Sequence, residues 1–158
     1  MKKIIQIFLG IIAILGIIVI AKNNYIFSNP NQERLDKGWI AYQNNDYNYA
    51  IKQFILLNYS EYPEIILPLS DSYIQIGEYD NAIRNLKNAY NEKIYKNQNE
   101  LSKLVNLLGI AYSKNNDLKQ ARFYFLEAKK LGNQNSLRNI QILDSLEQVQ
   151  KNAPDINQ

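Results

Sequence analysis

The chain has 158 residues, room for one domain of ordinary size, and it contains neither cysteine nor histidine. These absences exclude disulfides, thiolate nucleophiles, Cys/His zinc sites and imidazole general bases. The net charge of +3 comes entirely from Lys2, Lys3 and Lys22, so the rest of the chain is neutral and lacks the basic surface that favours nucleic acid. We therefore expect no nucleic-acid partner.

The first predicted element is an apolar segment at residues 4–21, which follows a basic N-terminus at residues 1–3. As a helix it would rise about 27 Å, close to the roughly 30 Å hydrocarbon core of a bilayer. Gln6 is its one strongly polar side chain, and no polar face recurs along it. The segment predicts a single transmembrane helix.

A signal sequence cleaved near Ala21 is the second interpretation of this segment, although the apolar run is long for that class. With either interpretation, the lysines at the N-terminus favour an N-terminus in the cytoplasm and a C-terminal domain across the membrane. Residues 22–32, which carry Asn, Ser and Pro, are predicted to form a linker.

After the linker, one short phrase recurs three times: N-D-Y-N-Y-A-I at 45–51, G-E-Y-D-N-A-I at 77–83 and N-D-L-K-Q-A-R at 116–122. Apolar residues spaced three and four apart, as on one helix face, lie on both sides of each copy. Each copy thus predicts a turn between two amphipathic helices, and the repetition predicts a solenoid. The three predicted helical hairpins cover about residues 33–59, 63–92 and 100–131.

These hairpins resemble the tetratricopeptide repeat (TPR), a helix–turn–helix unit of about 34 residues. The third hairpin carries the resemblance most fully, with Leu108, Gly109, Tyr112, Ala121, Phe125 and Ala128. The resemblance covers about residues 31–131 and implies an all-α solenoid of three TPR-like repeats. It also implies a protein-binding scaffold. Because the sequence has no Gly-rich phosphate loop, metal cluster or nucleophile motif, we expect no enzymatic activity, cofactor or metal.

Several local features are predicted within the hairpins. Asp46 and Asp117 lie where a second helix begins and are expected to cap it. Pro68 should kink the first helix of the second hairpin or delay its onset. Equivalent alanines are further apart between the second and third hairpins than between the first and second, so an insertion near residues 91–100 should lengthen a helix or loop.

Beyond Gly132, a predicted helix C-cap, apolar residues recur every three positions at Leu137, Ile140, Leu143, Leu146 and Val149. This pattern predicts a capping helix at 135–150 that covers the last hairpin, followed by a tail at 151–158.

By the family resemblance, the first helices line a concave groove, and the partner-facing positions lie beside their packing residues. The candidate groove positions are Trp39, Tyr42, Gln43, Asp71, Ile74, Gln75, Lys103, Asn106, Ile110 and Lys114.

Trp39 is the most informative of these positions, because the family's usual packing Trp falls where this chain has Arg34. It is either an anchor for a partner side chain or a packing residue against the linker or membrane surface. If Trp39 is an anchor, its replacement by Ala should abolish partner capture and leave the melting temperature unchanged. Three polar positions are either ligands for a partner carboxylate or simply solvated: Lys103, Asn106 and Lys114.

The sequence therefore predicts a membrane-anchored scaffold that binds a protein or peptide partner outside the cytoplasm. Envelope-complex assembly, secretion and chaperoning of exported chains are the roles considered. The alternative is self-assembly into a homo-oligomer, since residues 33–80 hold eight acids and three bases while residues 93–130 hold the reverse. A remote alternative is glycan cleavage by a carboxylate, with three candidates that lack a surrounding catalytic motif: Glu61, Glu64 and Asp71.

Overall fold

In the computed structural model, residues 29–152 are described, and they form seven α-helices and one 3-10 turn. The elements are α1 (Pro30–Gln43), α2 (Tyr47–Phe54), the 3-10 turn Pro63–Ile65, α3 (Ile66–Gln75), α4 (Tyr79–Asn91), α5 (Gln98–Lys114), α6 (Leu118–Lys130) and α7 (Asn135–Asn152). Helices α1 and α2 form hairpin 1, α3 and α4 hairpin 2, and α5 and α6 hairpin 3. The first helices of hairpins 2 and 3 also contact each other.

The transmembrane helix or signal sequence predicted at 4–21 lies outside the described residues, as does most of the linker predicted at 22–32. Between residues 29 and 152, no helix combines the length and apolar character that a membrane crossing requires.

The three hairpin turns share one backbone arrangement. Asn45, Gly77 and Asn116 each follow the end of a first helix with a positive φ, of 61°, 83° and 62° respectively. Asn and Gly adopt this left-handed conformation more readily than other residues. The backbone N–H of the next residue then donates to a carbonyl in the last helical turn, as Asp46 does to Ala41 at 2.9 Å. The repeated sequence therefore forms the turn between the two helices of each hairpin, and we call this turn the elbow.

The predicted helix caps are confirmed at two of these elbows. The Asp46 carboxylate accepts a hydrogen bond from the backbone N–H of Tyr49, and the Asp117 carboxylate accepts one from that of Gln120. These bonds satisfy N–H groups that the first turn of a helix leaves free. Adjacent residues thus end one helix and begin the next.

Small residues allow the two helices of hairpins 1 and 3 to approach closely. A methyl group at Gly38 would lie 2.5 Å from Cε1 of Phe54, and one at Gly109 would overlap the ring of Phe125. Both rings are almost fully buried. The glycine precedes its phenylalanine by the same interval in both hairpins, so the Gly–Phe contact is a repeated packing unit.

Hairpin 2 replaces this contact with a polar one. Ser70 occupies the glycine position and is fully buried. Its hydroxyl donates to the Ile66 carbonyl at 2.7 Å and accepts from Nδ2 of Asn85 at 2.7 Å. Helix α3 begins only at Ile66, so Pro68 lies in its first turn, where a missing N–H costs nothing. Of the two effects predicted for Pro68, the structure has the late onset.

The predicted insertion forms the loop at residues 92–97 and extends helix α5 toward its N-terminus. Asn97 caps this helix by accepting from the backbone N–H of Asn99 at 2.8 Å. Within the loop, the Tyr95 hydroxyl donates to the carbonyl of Pro63 at 2.7 Å. The insertion is thereby fixed to the start of hairpin 2.

Helix α7 packs on hairpin 3 with only part of its apolar repeat. Leu143 is 1% exposed and packs with the core of hairpin 3, and Ile140 is partly buried beside it. Leu137, Leu146 and Val149 are 50%, 42% and 69% exposed. A three-residue repeat falls short of the 3.6-residue turn by about 60° per step, so the predicted stripe winds around the helix. Of the five repeated residues, Leu143 and Ile140 therefore supply the contact with hairpin 3.

A charged cluster completes the contact between α6 and α7. Nη2 of Arg122 lies 2.5 Å from Oδ1 of Asp144 and 2.7 Å from Oε2 of Glu147. Hydrogen bonds to Glu147 and then Asp144 raise the pKa of Arg122. The closing helix is therefore held to α6 by a partly exposed ion-pair network in addition to its apolar contacts.

Candidate groove for a polypeptide

The first helices α1, α3 and α5, together with the start of α7, surround a cleft of about 300 Å³. Five of the ten sequence-predicted groove residues line it: Trp39, Tyr42, Asp71, Lys103 and Asn106. The other lining residues are Leu67, Pro68, Leu107, Asn133 and Asn135. Positions from all three hairpins, far apart in sequence, thus meet in one cleft.

Trp39 forms the aromatic side of the cleft. Its ring centroid lies 6.0 Å from that of Tyr42 and 6.1 Å from that of Phe54, both in edge-to-face geometry. Such pairs contribute about 0.5–1.5 kcal/mol beyond area burial. Trp39 therefore both lines the cleft and packs within hairpin 1. In contrast to the expectation from sequence, we expect its replacement by Ala to lower stability.

Asp71 and its two donors form the polar side. The Tyr42 hydroxyl donates to Oδ2 of Asp71 at 2.7 Å, and Nε2 of Gln75 donates to Oδ1 at 3.1 Å. Burial raises the pKa of Tyr42 and the hydrogen bond to Asp71 raises it further, so the phenol stays protonated. Because both oxygens of Asp71 already accept, the carboxylate positions the Tyr42 ring.

Helix α5 supplies the polar groups on the opposite side. Oδ1 of Asn106 accepts from Nδ2 of Asn139 at 2.9 Å, which leaves the Asn106 amide N–H groups for a ligand. Nζ of Lys103 lies 3.5 Å from Oε1 of Glu100, one helical turn away, and both side chains are about half exposed. Such a pair is weak, so the Lys103 ammonium can pair with a ligand anion at little cost.

The remaining predicted residues lie elsewhere. Ile110 and Lys114 line a second cleft of about 280 Å³ against Phe125 and Ile142. Ile74 is 6% exposed and packs in the core, so it is not accessible to a partner. Two further residues are exposed without lining the 300 Å³ cleft: Gln43 and Gln75.

Two lining residues from outside the first helices were missed by the sequence analysis. Asn133 comes from the connection between α6 and α7, and Asn135 is the first residue of α7. Nδ2 of Asn133 donates to the carbonyl of Ser102 at 3.2 Å, which brings this connection against α5. The Asn-rich run after Gly132 was the sequence feature that could have indicated these residues. It lies beyond the repeated hairpins, so the hairpin pattern does not predict it.

The alternative functions gain little from the arrangement. Glu61 and Glu64 are exposed, and of the three carboxylates considered for glycan cleavage only Asp71 lines the cleft. The basic stretch considered for self-assembly is partly neutralised within the chain, because three of its cations pair with nearby carboxylates: Lys103, Arg122 and Lys130.

A tetratricopeptide repeat family model matches residues 102–135, which span most of α5, all of α6 and the connection to the first residue of α7. No curated protein matches the chain significantly. Among solved structures, the TPR2AB domain of yeast Sti1 in complex with pHSP90 matches with a TM-score of 0.63 at 19% sequence identity. The match covers 77% of this chain and 48% of that one, so the chain spans about half the length of this structural relative. The described residues thus have a TPR-like helical solenoid fold.

Proposed function

We propose that this protein is a scaffold that binds an extended polypeptide segment in the cleft between α1, α3 and α5. The observation that carries the proposal is the convergence of Trp39, Asp71 and Lys103, one from each first helix, on a single cleft. TPR-like solenoids offer concave surfaces of this kind to partners. The structural relative was also solved as a complex, with pHSP90.

The dimensions of the cleft favour a side chain of the partner over a whole helix. About 300 Å³ is the lower end of the range for ligand sites. Trp39, Leu67 and Leu107 offer apolar contact area for one bulky apolar side chain. Asn106 offers amide N–H donors to the partner's main-chain carbonyls, and Lys103 adds a cation at the rim. The ligand class is thus an extended segment with an apolar anchor beside an acidic group.

We also propose that residues 4–21 anchor the protein in a membrane, with the solenoid outside the cytoplasm. The support is the apolar length of this segment, in which Gln6 is the one strongly polar residue, and the two lysines before it. The roles that fit such a scaffold are envelope-complex assembly, secretion and chaperoning of exported chains. Alkaline extraction of native membranes separates the alternatives: an anchored chain stays in the pellet, whereas a chain cleaved near Ala21 is released.

The binding proposal is tested by site-specific photocrosslinking of the full-length chain in its native membrane. A photoreactive side chain at Leu107, inside the cleft, is expected to crosslink a polypeptide partner. The same group at Lys119, which is exposed and lines none of the described cavities, is the matched control. Adding Lys103→Glu should reduce crosslinking from position 107, because a rim anion repels an acidic ligand. Equal yields from positions 107 and 119 would refute the groove.

A further inference from the structure

A larger cavity, of about 570 Å³, lies where α4 ends and the inserted loop begins. We call it the tyrosine cavity. It is lined by Tyr90, Asn91, Lys93, Tyr95, Lys96 and Leu101. Its volume is within the range typical of sites for small molecules.

The tyrosine cavity is made by the insertion that lengthens the interval between the second and third hairpins. Lys93, Tyr95 and Lys96 all belong to the loop at residues 92–97, which a repeat of regular length would lack. Since the cavity depends on this added loop, it is a feature of this chain and is not shared by the repeated unit.

The loop is held in place by hydrogen bonds, so the cavity is preformed. The backbone N–H of Ile94 donates to the carbonyl of Ala89, and that of Lys93 donates to the carbonyl of Tyr90, each at 3.1 Å. The Tyr95 hydroxyl donates to the carbonyl of Pro63 at 2.7 Å. A ligand therefore need not order the loop on binding.

The tyrosine cavity combines apolar walls with two lysines, Lys93 and Lys96. Tyr90, Tyr95 and Leu101 provide ring and aliphatic surface, and Tyr90 is braced by an edge-to-face contact with Tyr124 at 6.5 Å. Both lining lysines are exposed, and no carboxylate is among the lining residues. Neither lysine forms an ion pair within residues 29–152. A ligand with a flat apolar body and one anionic group would complement both features.

We propose that the tyrosine cavity binds a small amphipathic anion, a carboxylate or phosphate attached to an apolar body. The apolar body would lie against Tyr90, Tyr95 and Leu101, while the anionic group pairs with Lys93 and Lys96. This proposal is independent of the groove. Leu101 and Lys103 are two residues apart on α5, about 200° around the helix axis, so the two sites face different sides.

Calorimetric titration of the full-length protein with naphthoate tests the proposal. Naphthoate is expected to bind at least about tenfold more tightly than the neutral naphthalenemethanol, and acetate is expected not to bind detectably. The double variant Lys93→Gln/Lys96→Gln should weaken naphthoate binding at least about tenfold, with naphthalenemethanol unaffected. The matched control Lys52→Gln/Lys119→Gln removes the same charge from exposed positions outside the cavity and should leave the affinity unchanged. Naphthyl phosphate in parallel distinguishes a phosphate ligand from a carboxylate.

Methyl NMR locates the bound probe. Saturating naphthoate should shift the methyl resonances of Leu101 and leave those of Leu107, in the groove, in place. Absence of binding, equal affinity for the neutral analogue, full affinity of the lysine variant, or shifts confined to Leu107 would each overturn the proposal.

Discussion

The hydroxyl of Tyr42 donates a 2.7 Å hydrogen bond to the carboxylate of Asp71, which lies 29 residues further along the chain. The bond joins the first helix of hairpin 1 to the first helix of hairpin 2 at the side of the groove. It therefore links the stacking of hairpins 1 and 2 to the shape of the cleft.

Replacing Tyr42 by Phe removes this hydrogen bond and keeps the ring. We expect the free energy of unfolding to fall by about 1–2 kcal/mol, because the bond is partly buried and its acceptor is charged. Tyr47→Phe is the matched control, since its hydroxyl donates to Oδ1 of Asn45, two residues away on the surface. Its expected cost is less than about 0.5 kcal/mol. Equal losses in urea denaturation would contradict a special role for the Tyr42–Asp71 bond.

The raised pKa values of Tyr42 and Tyr95 predict a loss of stability at alkaline pH. Burial raises both, so above a pH of about 10 the unfolded chain releases these protons before the folded chain does. The contribution is therefore fully present below a pH of about 10 and is lost as pH rises through the folded values. We expect Tyr42→Phe to flatten the fall in unfolding free energy above about pH 10. If Tyr42→Phe leaves the alkaline slope of the unfolding free energy unchanged, the Tyr42 phenol has the same pKa in the folded and the unfolded chain.

A methyl group at Gly109 would overlap the Phe125 ring, so we expect Gly109→Ala to destabilise the protein. Over-packing of a buried contact costs about 1–3 kcal/mol, more than the gain in helix propensity from Gly to Ala. Urea denaturation measures the change. A higher free energy of unfolding in this variant would mean that α5 and α6 move apart to accommodate the methyl group at no cost in stability.

The double variant Gly109→Ala/Phe125→Leu gives the matched control. Hairpin 2 already pairs a larger first-helix residue, Ser70, with a smaller second-helix residue, Leu86, at the same separation in sequence. The double variant should therefore be more stable than the sum of the two single changes implies, by about 1 kcal/mol. Strict additivity would show that the two side chains do not compete for space.

The elbows could be predicted because local chemistry determines them. Few pairs of residue types combine a left-handed backbone conformation with a carboxylate that caps the next helix. The chain uses such a pair at Asn45-Asp46 and again at Asn116-Asp117. The position of a residue relative to the elbow determines which side of the first helix it lies on. For this reason the predicted residues Trp39, Asp71 and Lys103 line the same cleft.

Features that depend on the contacts between helices could not be read from the pattern. Ile74 has the spacing of a groove residue but is buried against Ala111 of the next hairpin. In α7, hydrophobic periodicity alone did not distinguish the buried Leu143 from the exposed Leu146. The tyrosine cavity arises from how an inserted loop folds back on Pro63, a contact with no sequence repeat to predict it.

Arg122 joins α6 to the closing helix, and we expect Arg122→Gln to loosen α7 locally. Its partners Asp144 and Glu147 are 49% and 41% exposed, so solvent screening limits the global cost to less than about 1 kcal/mol. Hydrogen exchange should nonetheless accelerate for α7 amides and stay unchanged in hairpin 1. Arg138→Gln, on the exposed side of α7, is the control. Identical hydrogen exchange in both variants would show that Arg122 does not hold α7 against α6.

Trp39 is the protein's single tryptophan and lines the groove, so its fluorescence reports directly on occupancy of that cleft. Binding of a partner segment should shift its emission to shorter wavelength and reduce quenching by acrylamide, because an apolar side chain would replace water beside the indole. Lys103→Glu should weaken this response without altering the emission of the free protein. Naphthoate in the tyrosine cavity should leave the emission wavelength unchanged, since that cavity is lined by other residues. A purified crosslinked partner that binds without changing Trp39 emission would place the interface outside the groove.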